Sequence, residues 1–293
     1  MKTLTIITPT YNRAELLPNL YFSLNNQTNK DFLWMIVDDG STDKTREIIN
    51  SLLSTASIEI KYLKKKNGGK HTALNMGIKQ INTELTMIVD SDDQLLSTAV
   101  EEVLQVHQKY KTNNIIGVYS FLKCYSNGKP IISLNKDEFI DSYVKYRIKE
   151  NRPGDMAEVF KTKVLKEFPF FEFSGEKFLS EDVVWIQIGL KYKYVFVNIK
   201  IYQCEYLEGG LTANDKPIKF ASPYGSMMRG KMLMHKECGI KQNLKGAIIY
   251  DCYKKNISKY KQDDRLKLTF FETIICILCY PLSIYYYMKW RKD

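Results

Sequence analysis

The first 120 residues switch repeatedly between strand-like and helical apolar periods, and that alternation restricts the possible folds more than any other feature of the chain. Residues 4–8 (LTIIT) form a strand candidate, and residues 14–26 then carry Leu16, Leu17, Leu20, Tyr21 and Leu24 at helical spacing. An apolar strand follows at 32–37, then a helix at 42–53 that Ser41 or Thr42 is placed to cap, then a third strand at 58–63. A helix over 72–81, a strand over 85–89, a helix over 95–110 and a strand over 115–121 complete the series. Strand and helix alternating at this pace predict an α/β layered fold with a mostly parallel sheet flanked by helices.

Beyond residue 121 the pattern changes. Ser126-Asn127-Gly128-Lys129-Pro130 predicts a turn that closes a hairpin. Residues 136–180 are irregular and aromatic, 183–192 read as a helix, 194–204 as one or two strands, and the chain from 223 onward as helical and basic. A boundary near Glu208-Gly209-Gly210 would divide a larger domain over 1–208, with halves 1–122 and 123–208, from a mainly helical extension over 209–293. The chain has 293 residues, 44% hydrophobic and 26% charged, which describes a globular protein rather than a disordered one. The short apolar run 4–7 is not read as a secretory leader. Six scattered cysteines suggest neither a disulfide framework nor a zinc site. Cys276 and Cys279 fall inside an apolar run and read as buried thiols, so a reducing, cytoplasmic setting is expected.

The formal net charge of +10 demands an anionic partner or surface. Its distribution narrows the choice. From Lys254 to Asp293 there are nine Lys or Arg against four Asp or Glu, so half the excess lies beside the most apolar stretch of the chain. That pairing favours a membrane surface over nucleic acid.

Ligands of open parallel α/β sheets bind beyond the carboxyl ends of the strands. Three polar clusters fall at such ends: Thr8-Pro9-Thr10-Tyr11-Asn12-Arg13, Asp38-Asp39-Gly40-Ser41-Thr42-Asp43, and Asp90-Ser91-Asp92-Asp93. Any one of them alone reads equally well as helix-capping residues. The third is harder to explain that way. Three carboxylates within four residues repel one another, and a hard divalent cation such as Mg²⁺ or Mn²⁺ relieves the repulsion. The competing reading, first-turn acids for the next helix, is weakened by the residues that separate Asp93 from Ser97.

The order of these motifs resembles inverting family 2 glycosyltransferases of the GT-A fold. Members open on P-x-Y-N, continue with D-D-G-S-x-D and reach a D-x-D-D; here these are PTYNR, VDDGSTD and VDSDD. Residues 66–77, from Lys66-Asn67-Gly68-Gly69 to Asn75-Met76-Gly77, are similar to the family's glycine-rich segment. The resemblance is strong over 3–122, moderate to about 205 and weak beyond. It implies a nucleotide-sugar donor, a uridine-diphosphate sugar, with Thr8, Pro9 and Tyr11 lining the base, Asp39 bonding it and Asp38 in support. Arg13, Lys70, His71 and Ser91 complete the donor set. Asp90 and Asp92 become the carboxylates at the ribose and at a Mn²⁺ or Mg²⁺ ion, with Asp93 adjacent. On its own, Lys70 reads equally as a solvated lysine extending the basic run 64–66.

Ser180-Glu181-Asp182-Val183-Val184-Trp185 matches the family's E-D pair, so the resemblance makes Asp182 the general base and Glu181 its support. Taken alone, the two acids read as first-turn residues of a helix. The Q-x-x-R-W signature of processive synthases is absent, which implies single-sugar transfer to a glycan or lipid-linked acceptor of surface polysaccharide biosynthesis. Two other classes fit the sequence less well. A nucleotidyltransferase would need a glycine-rich start after the first strand, which PTYNR lacks. A nucleotide- or nucleic-acid-binding protein without transferase activity fits poorly, since its acidic clusters would repel phosphate, and no nucleic-acid partner is expected.

Glu208 to Asp215 reads either as a lid over the site or as a linker. Residues 268–288 are apolar except for Glu272, contain Pro281 and end on a basic tail with Trp290. Residues 268–293 are expected to lie in the plane of a membrane surface, making the protein peripheral on the inner face of the plasma membrane; a helix hairpin packed on the protein is the alternative.

Overall fold

A computed structural model of the chain describes residues 2–204, 215–257 and 263–290. The described residues pack as two compact units. The first takes the described parts of Met1–Ser142, Pro153–Pro169 and Lys191–Glu205; the second takes Tyr143–Arg152, Phe170–Leu190 and the described parts of Tyr206–Asp293. Segments 143–152 and 170–190 thus pack with the C-terminal helices. The expected lid or linker at 208–215 lies outside the described residues, apart from the helical Asp215.

In the first unit the chain runs β1 (Leu4–Thr10), α1 (Leu17–Asn25), β2 (Phe32–Asp38), α2 (Thr45–Thr55), β3 (Glu59–Lys64), α3 (Lys70–Lys79), β4 (Leu85–Ile88), β5 (Gln94–Leu95), α4 (Ala99–Tyr110) and β6 (Ile116–Cys124). Strands β3, β2, β1 and β4 lie side by side and parallel. Every residue of β1 is buried, as expected of a strand covered on both faces. Alternate residues Leu4 and Ile6 pack with Leu17, Leu20 and Leu24 of α1, Ile49 of α2 and Val103 of α4 in one continuous core. Each such side chain contributes about 1.5–3 kcal/mol by leaving water. The opposite face receives α3. A Cβ on Gly77 would stand 2.4 Å from Ile7 Cδ1 and 2.9 Å from Val37 Cγ2, so only glycine lets this helix lie so close to β1 and β2.

The remaining elements of the unit are β7 (Glu138–Asp141), β8 (Met156–Lys161), α5 (Thr162–Glu167) and β9 (Lys193–Gln203). β8 inserts between β4 and β6 and runs antiparallel to both. The sheet is therefore parallel where it begins and mixed beyond β4, in the order β3-β2-β1-β4-β8-β6-β9-β5 with β7 on β9. β8 falls in the stretch that reads as irregular in sequence. It is only six residues long, follows Pro153-Gly154 and has five of its six residues buried, so no alternation marks it. The turn at 126–130 forms, closed by a single antiparallel bridge between Cys124 and Pro130.

The second unit is helical: a π-helical turn at Val144–Lys149, then α6 (Asp182–Lys191), α7 (Asp215–Ala221), α8 (Pro223–Leu233), α9 (Ile240–Lys255) and α10 (Phe270–Trp290). α10 is one helix that continues through Pro281, and it is long and apolar enough to cross a membrane by length and composition. All six cysteines are buried free thiols.

Candidate active site

The parallel register carries three polar strand ends to one edge of the sheet. Thr10 of β1 lies opposite Asp38 of β2, and Ile7 of β1 lies opposite Ile88 of β4, two residues before Asp90. Hydrogen bonds then tie the loops together. Asn12, in the left-handed conformation that asparagine tolerates, accepts the Thr42 N–H (2.8 Å) and donates its own N–H to Ser41 Oγ (2.9 Å). Arg13 N–H donates to Thr45 Oγ1 (3.1 Å) and Ala14 N–H to Asp43 (3.2 Å). Tyr11 stands 46% exposed at this edge. The Thr8 hydroxyl is fully buried and accepts the Trp34 indole N–H (3.0 Å), while Pro9 is buried beside it.

Asp38 and Asp39 play different parts. Asp38 is fully buried and accepts the Ser41 N–H (2.7 Å) and the Tyr62 hydroxyl (2.9 Å), so it fixes the start of the β2–α2 loop. Burial and the Asp38 carboxylate together push the Tyr62 hydroxyl up to about 12. Asp39 binds the glycine loop: its oxygens accept the N–H groups of Gly68 (2.9 Å) and Gly69 (2.6 Å), and it pairs with Lys65 Nζ (2.8 Å). Gly40, with φ of +82°, passes so close to this loop that a Cβ would lie 2.7 Å from Asn67 N. An anion therefore already sits at the N-terminus of α3, supplied by the protein itself. Lys65 also reaches Thr72 Oγ1 (2.7 Å). In sequence it is only one of three consecutive lysines, which hides this role.

Lys70 and His71 occupy the first turn of α3, and His71 is buried. Lys70 Nζ lies 2.5 Å from Asp90 Oδ1, which joins the α3 end to the acidic cluster. The ligand oxygens of Asp90, Asp92 and Asp93 all lie within 4.8 Å of one another, and Ser91 is buried among them. Burial drives the Asp90 carboxyl upward, yet Lys70, Lys123 and Arg13 beside it hold it below the usual carboxylate range. Burial and then the Asp90 charge push the neighbouring Asp93 up to about 7. Two carboxyls three residues apart are thus pulled in opposite directions, the mark of like charges sharing one site.

Two members of this cluster carry no motif. Tyr202 of β9, fully buried, donates its hydroxyl to Asp93 Oδ2 (2.7 Å) and accepts the Asp90 N–H (3.1 Å). Lys123 of β6 lies over the Tyr202 ring, 4.1 Å from Nζ to centroid. Burial works against its ammonium, but Asp90, Asp93, Asp155 and Glu158 hold its pKa above the usual lysine value. Both residues come from strands far along the chain, and their only sequence signal is a polar tip inside an apolar strand.

Glu181 and Asp182 belong to the second unit, where Asp182 opens α6. Arg229 of α8 donates through Nε to both Asp182 oxygens, at 2.7 and 3.1 Å, in a partly buried ion pair. The Glu181 carbonyl accepts the N–H groups of Val184 (2.9 Å) and Trp185 (3.2 Å) and so starts the helix.

The sheet flanked by helices is that of the GT-A fold. The fold is shared with Staphylococcus aureus TarS 1–349 in complex with UDP-GlcNAc, at a TM-score of 0.66 and 18% identity over 97% of this chain and 81% of that one. The sequence matches Glycosyl transferase family 2 over residues 5–164, more than half of the chain, and the protein belongs to that family. Among curated relatives, the GalNAc(5)-diNAcBac-PP-undecaprenol beta-1,3-glucosyltransferase of Campylobacter jejuni is 30% identical over 69% of this chain and 65% of its own length. An uncharacterized glycosyltransferase of Rickettsia felis is 32% identical over 64% of this chain. The chain spans 30% of the length of that Rickettsia protein.

Proposed function

We propose that this glycosyltransferase is metal-dependent and inverting, and moves one sugar from a UDP-sugar to a glycan or lipid-linked glycan of the cell surface. The observation that carries this reading is the Asp90, Asp92 and Asp93 group at the end of β4, three hard oxygen donors close enough to share one ion. The UDP-GlcNAc complex of TarS and the PP-undecaprenol-linked acceptor in the name of the Campylobacter relative support the donor and acceptor classes.

On this reading Asp39 and Tyr11 meet the nucleotide base over Thr8 and Pro9, with Asp38 bracing the loop. Arg13, Lys70 and His71 serve the diphosphate side, and Asp90 and Ser91 the ribose. Asp92, with Asp90 and Asp93, would hold Mn²⁺ or Mg²⁺, which supplies Lewis-acid stabilisation of the departing diphosphate. Asp182 takes the proton of the acceptor hydroxyl as that oxygen bonds to the anomeric carbon and the bond to the diphosphate breaks, inverting the configuration; Glu181 supports it. The test is donor hydrolysis across a panel of nucleotide sugars. UDP should be released from a UDP-sugar with Mn²⁺ present, and release should stop with EDTA and in a folded Asp92→Asn variant. Full turnover under both conditions overturns the proposal.

We further propose peripheral contact with the inner face of the plasma membrane. α10 turns Glu272, Ile275, Cys276, Cys279 and Ser283 inward, while Phe270, Ile277, Leu278, Leu282 and Tyr285 are 51% exposed or more. A helix that buries mostly small and polar residues and presents many large apolar ones is the reverse of an ordinary surface helix. Lys254, Lys255, Lys267 and Lys289 supply charge suited to anionic lipid. Co-sedimentation with anionic vesicles should fall in Leu278→Glu; an unchanged bound fraction would count against the contact.

A further inference from the structure

The segment that leads into Asp182 is held along α8 at two points, both inside the second unit. Downstream, Arg229 grips Asp182 itself. Upstream, Glu176 reaches the first turn of the helix: Oε1 accepts the Tyr224 N–H (2.7 Å) and Oε2 the Gly225 N–H (2.8 Å). The sequence sets Ser222 before Pro223, where serine is a common cap, yet Ser222 makes no side-chain cap bond. A carboxylate from outside the helix supplies the cap instead, with a charge that suits the positive end of the helix.

Between the two points the approach is close. A Cβ on Gly225 would stand 2.6 Å from the Phe178 carbonyl oxygen and 3.5 Å from Leu179 Cδ1, so glycine here lets the segment lie against the helix backbone. Leu179 is buried, and the Phe173 and Tyr224 rings lie 5.8 Å apart at the upstream end. A turn closed by the Glu176 N–H on the Phe173 carbonyl (3.1 Å), with Gly175 at φ +82°, brings Glu176 into place. Gly225 and Arg229 stand about one turn apart, roughly 6 Å along the axis. The helix therefore fixes the spacing between the two holds.

Stability alone does not select this arrangement. Glu176 is 9% exposed, and burial pushes its carboxyl above the usual carboxylate range despite both N–H bonds. An acid raised in this way costs the fold stability once pH exceeds its unfolded value, because it ionises less readily in the folded chain. A hydroxyl cap would hold the start of α8 without that cost.

We propose that Glu176 is a positioning residue that acts through Asp182: by tying the segment to the start of α8 it sets where the Asp182 carboxylate stands, and Arg229 sets its orientation. The inference rests on the reading of Asp182 as the base. A base must come within hydrogen-bond reach of the proton it takes, and a displacement of about 1 Å costs on the order of 10²-fold in rate. Glu176, Gly225 and Arg229 then form one device on α8, which gives a task to an acid that belongs to no motif.

The test is a double-mutant cycle of Glu176→Gln and Asp182→Asn in the full chain. It is read as hydrolysis of the UDP-sugar turned over fastest with Mn²⁺, in which water takes the place of the acceptor hydroxyl. Glutamine keeps the length of the side chain but brings an amide NH₂ to face the helix N–H groups, so the segment must shift. Glu176→Gln should lower kcat about 10–100-fold, with KM for the donor within about twofold of wild type. In the Asp182→Asn background the same change should lower the rate no more than about twofold further, since the group it positions no longer takes a proton. Equal fold losses in both backgrounds, a loss carried by KM, or a wild-type kcat in Glu176→Gln overturns the proposal. Gly225→Ala, which presses on the Phe178 carbonyl and keeps both carboxylates, passes through the same cycle and should behave alike. Denaturant titration accompanies each variant, and failure of both Glu176→Gln and Gly225→Ala to fold assigns the contact to stability and overturns the positioning role. A wild-type rate in Asp182→Asn sinks the base reading itself. A slow Asp182→Asn beside an unaffected Glu176→Gln sinks this inference alone.

Discussion

The carboxylates at the end of β4 and the carboxylate that opens α6 are both held by basic side chains, but on different plans. At β4 Lys70, Lys123 and Arg13 act on Asp90, Lys123 acts on Asp93 as well, and Asp93 is driven up to about 7. At α6 the guanidinium of Arg229 touches both oxygens of Asp182. The first arrangement spreads charge that no one-to-one pairing settles, so an added cation is accommodated by a shift among several partners. The second fixes one carboxylate in place and orientation. On the proposed function, distributed charge would suit an edge that exchanges an ion and a nucleotide at each turnover, and a fixed pair would suit a group that meets one proton at one angle.

The largest effect that bears on this contrast is Asp182→Asn. Asparagine keeps the shape beside Arg229 but cannot take a proton, so transfer should fall about 10²–10⁴-fold, the range of general base catalysis. The donor-side cluster does not contain this residue, so nucleotide binding, followed by calorimetry with UDP and Mn²⁺, should stay within twofold (roughly) of wild type. A variant that loses both together would dissolve the distinction between the two regions.

Tyr202→Phe probes the other plan. It deletes the hydroxyl that joins Asp93 to the Asp90 backbone and leaves the ring on which Lys123 rests. On the proposed metal site, removing a group that orients the ligands should weaken Mn²⁺ binding about 10–100-fold, read as a higher metal concentration for half-maximal donor hydrolysis. The fold itself should lose only about 0.5–1.5 kcal/mol in denaturant titration. An unchanged metal requirement would mean that Asp93 needs no help in holding its position and would reduce the cluster to Asp90 and Asp92.

How much of this was legible depends on the distance over which each signal acts. The β1-to-β4 alternation and the three polar strand ends were readable because periodicity and turn chemistry are local, and parallel register then brings the ends together. β8 was not, since a short buried strand without alternation looks like any apolar fragment. The partners of the motif residues were hidden for a different reason. Trp34 behind Thr8, Lys65 and the Gly68–Gly69 loop on Asp39, Lys123 and Tyr202 beside the acids, and Arg229 on Asp182 are all tertiary choices. Motifs name the groups that do chemistry; the groups that set their charge and orientation come from distant elements whose own sequences are unremarkable.

The smallest effect tests whether the donor edge depends on its charges or on the loops that carry them. Asp43 lies in the β2–α2 loop and accepts the Thr45 N–H (3.0 Å) and, across to the β1–α1 loop, the Ala14 N–H (3.2 Å). Burial works slightly against its charged form, but these bonds hold the carboxyl below the usual carboxylate range. A carboxyl lowered in this way contributes stability that is complete above its unfolded pKa, about 3.9, and is lost as pH falls through the folded value. Asp43 is exposed, so solvent screens most of this effect; Asp43→Asn should cost at most about 0.5 kcal/mol at neutral pH, measured by denaturant titration, and that difference should close in acid. Mn²⁺-dependent hydrolysis should change less than in Tyr202→Phe, because Asp43 braces the loops without touching the acids at β4. If Asp43→Asn instead disturbed metal binding as much as Tyr202→Phe, loop geometry rather than shared charge would define the donor edge, and its contrast with the Asp182–Arg229 pair would have to be redrawn around rigidity.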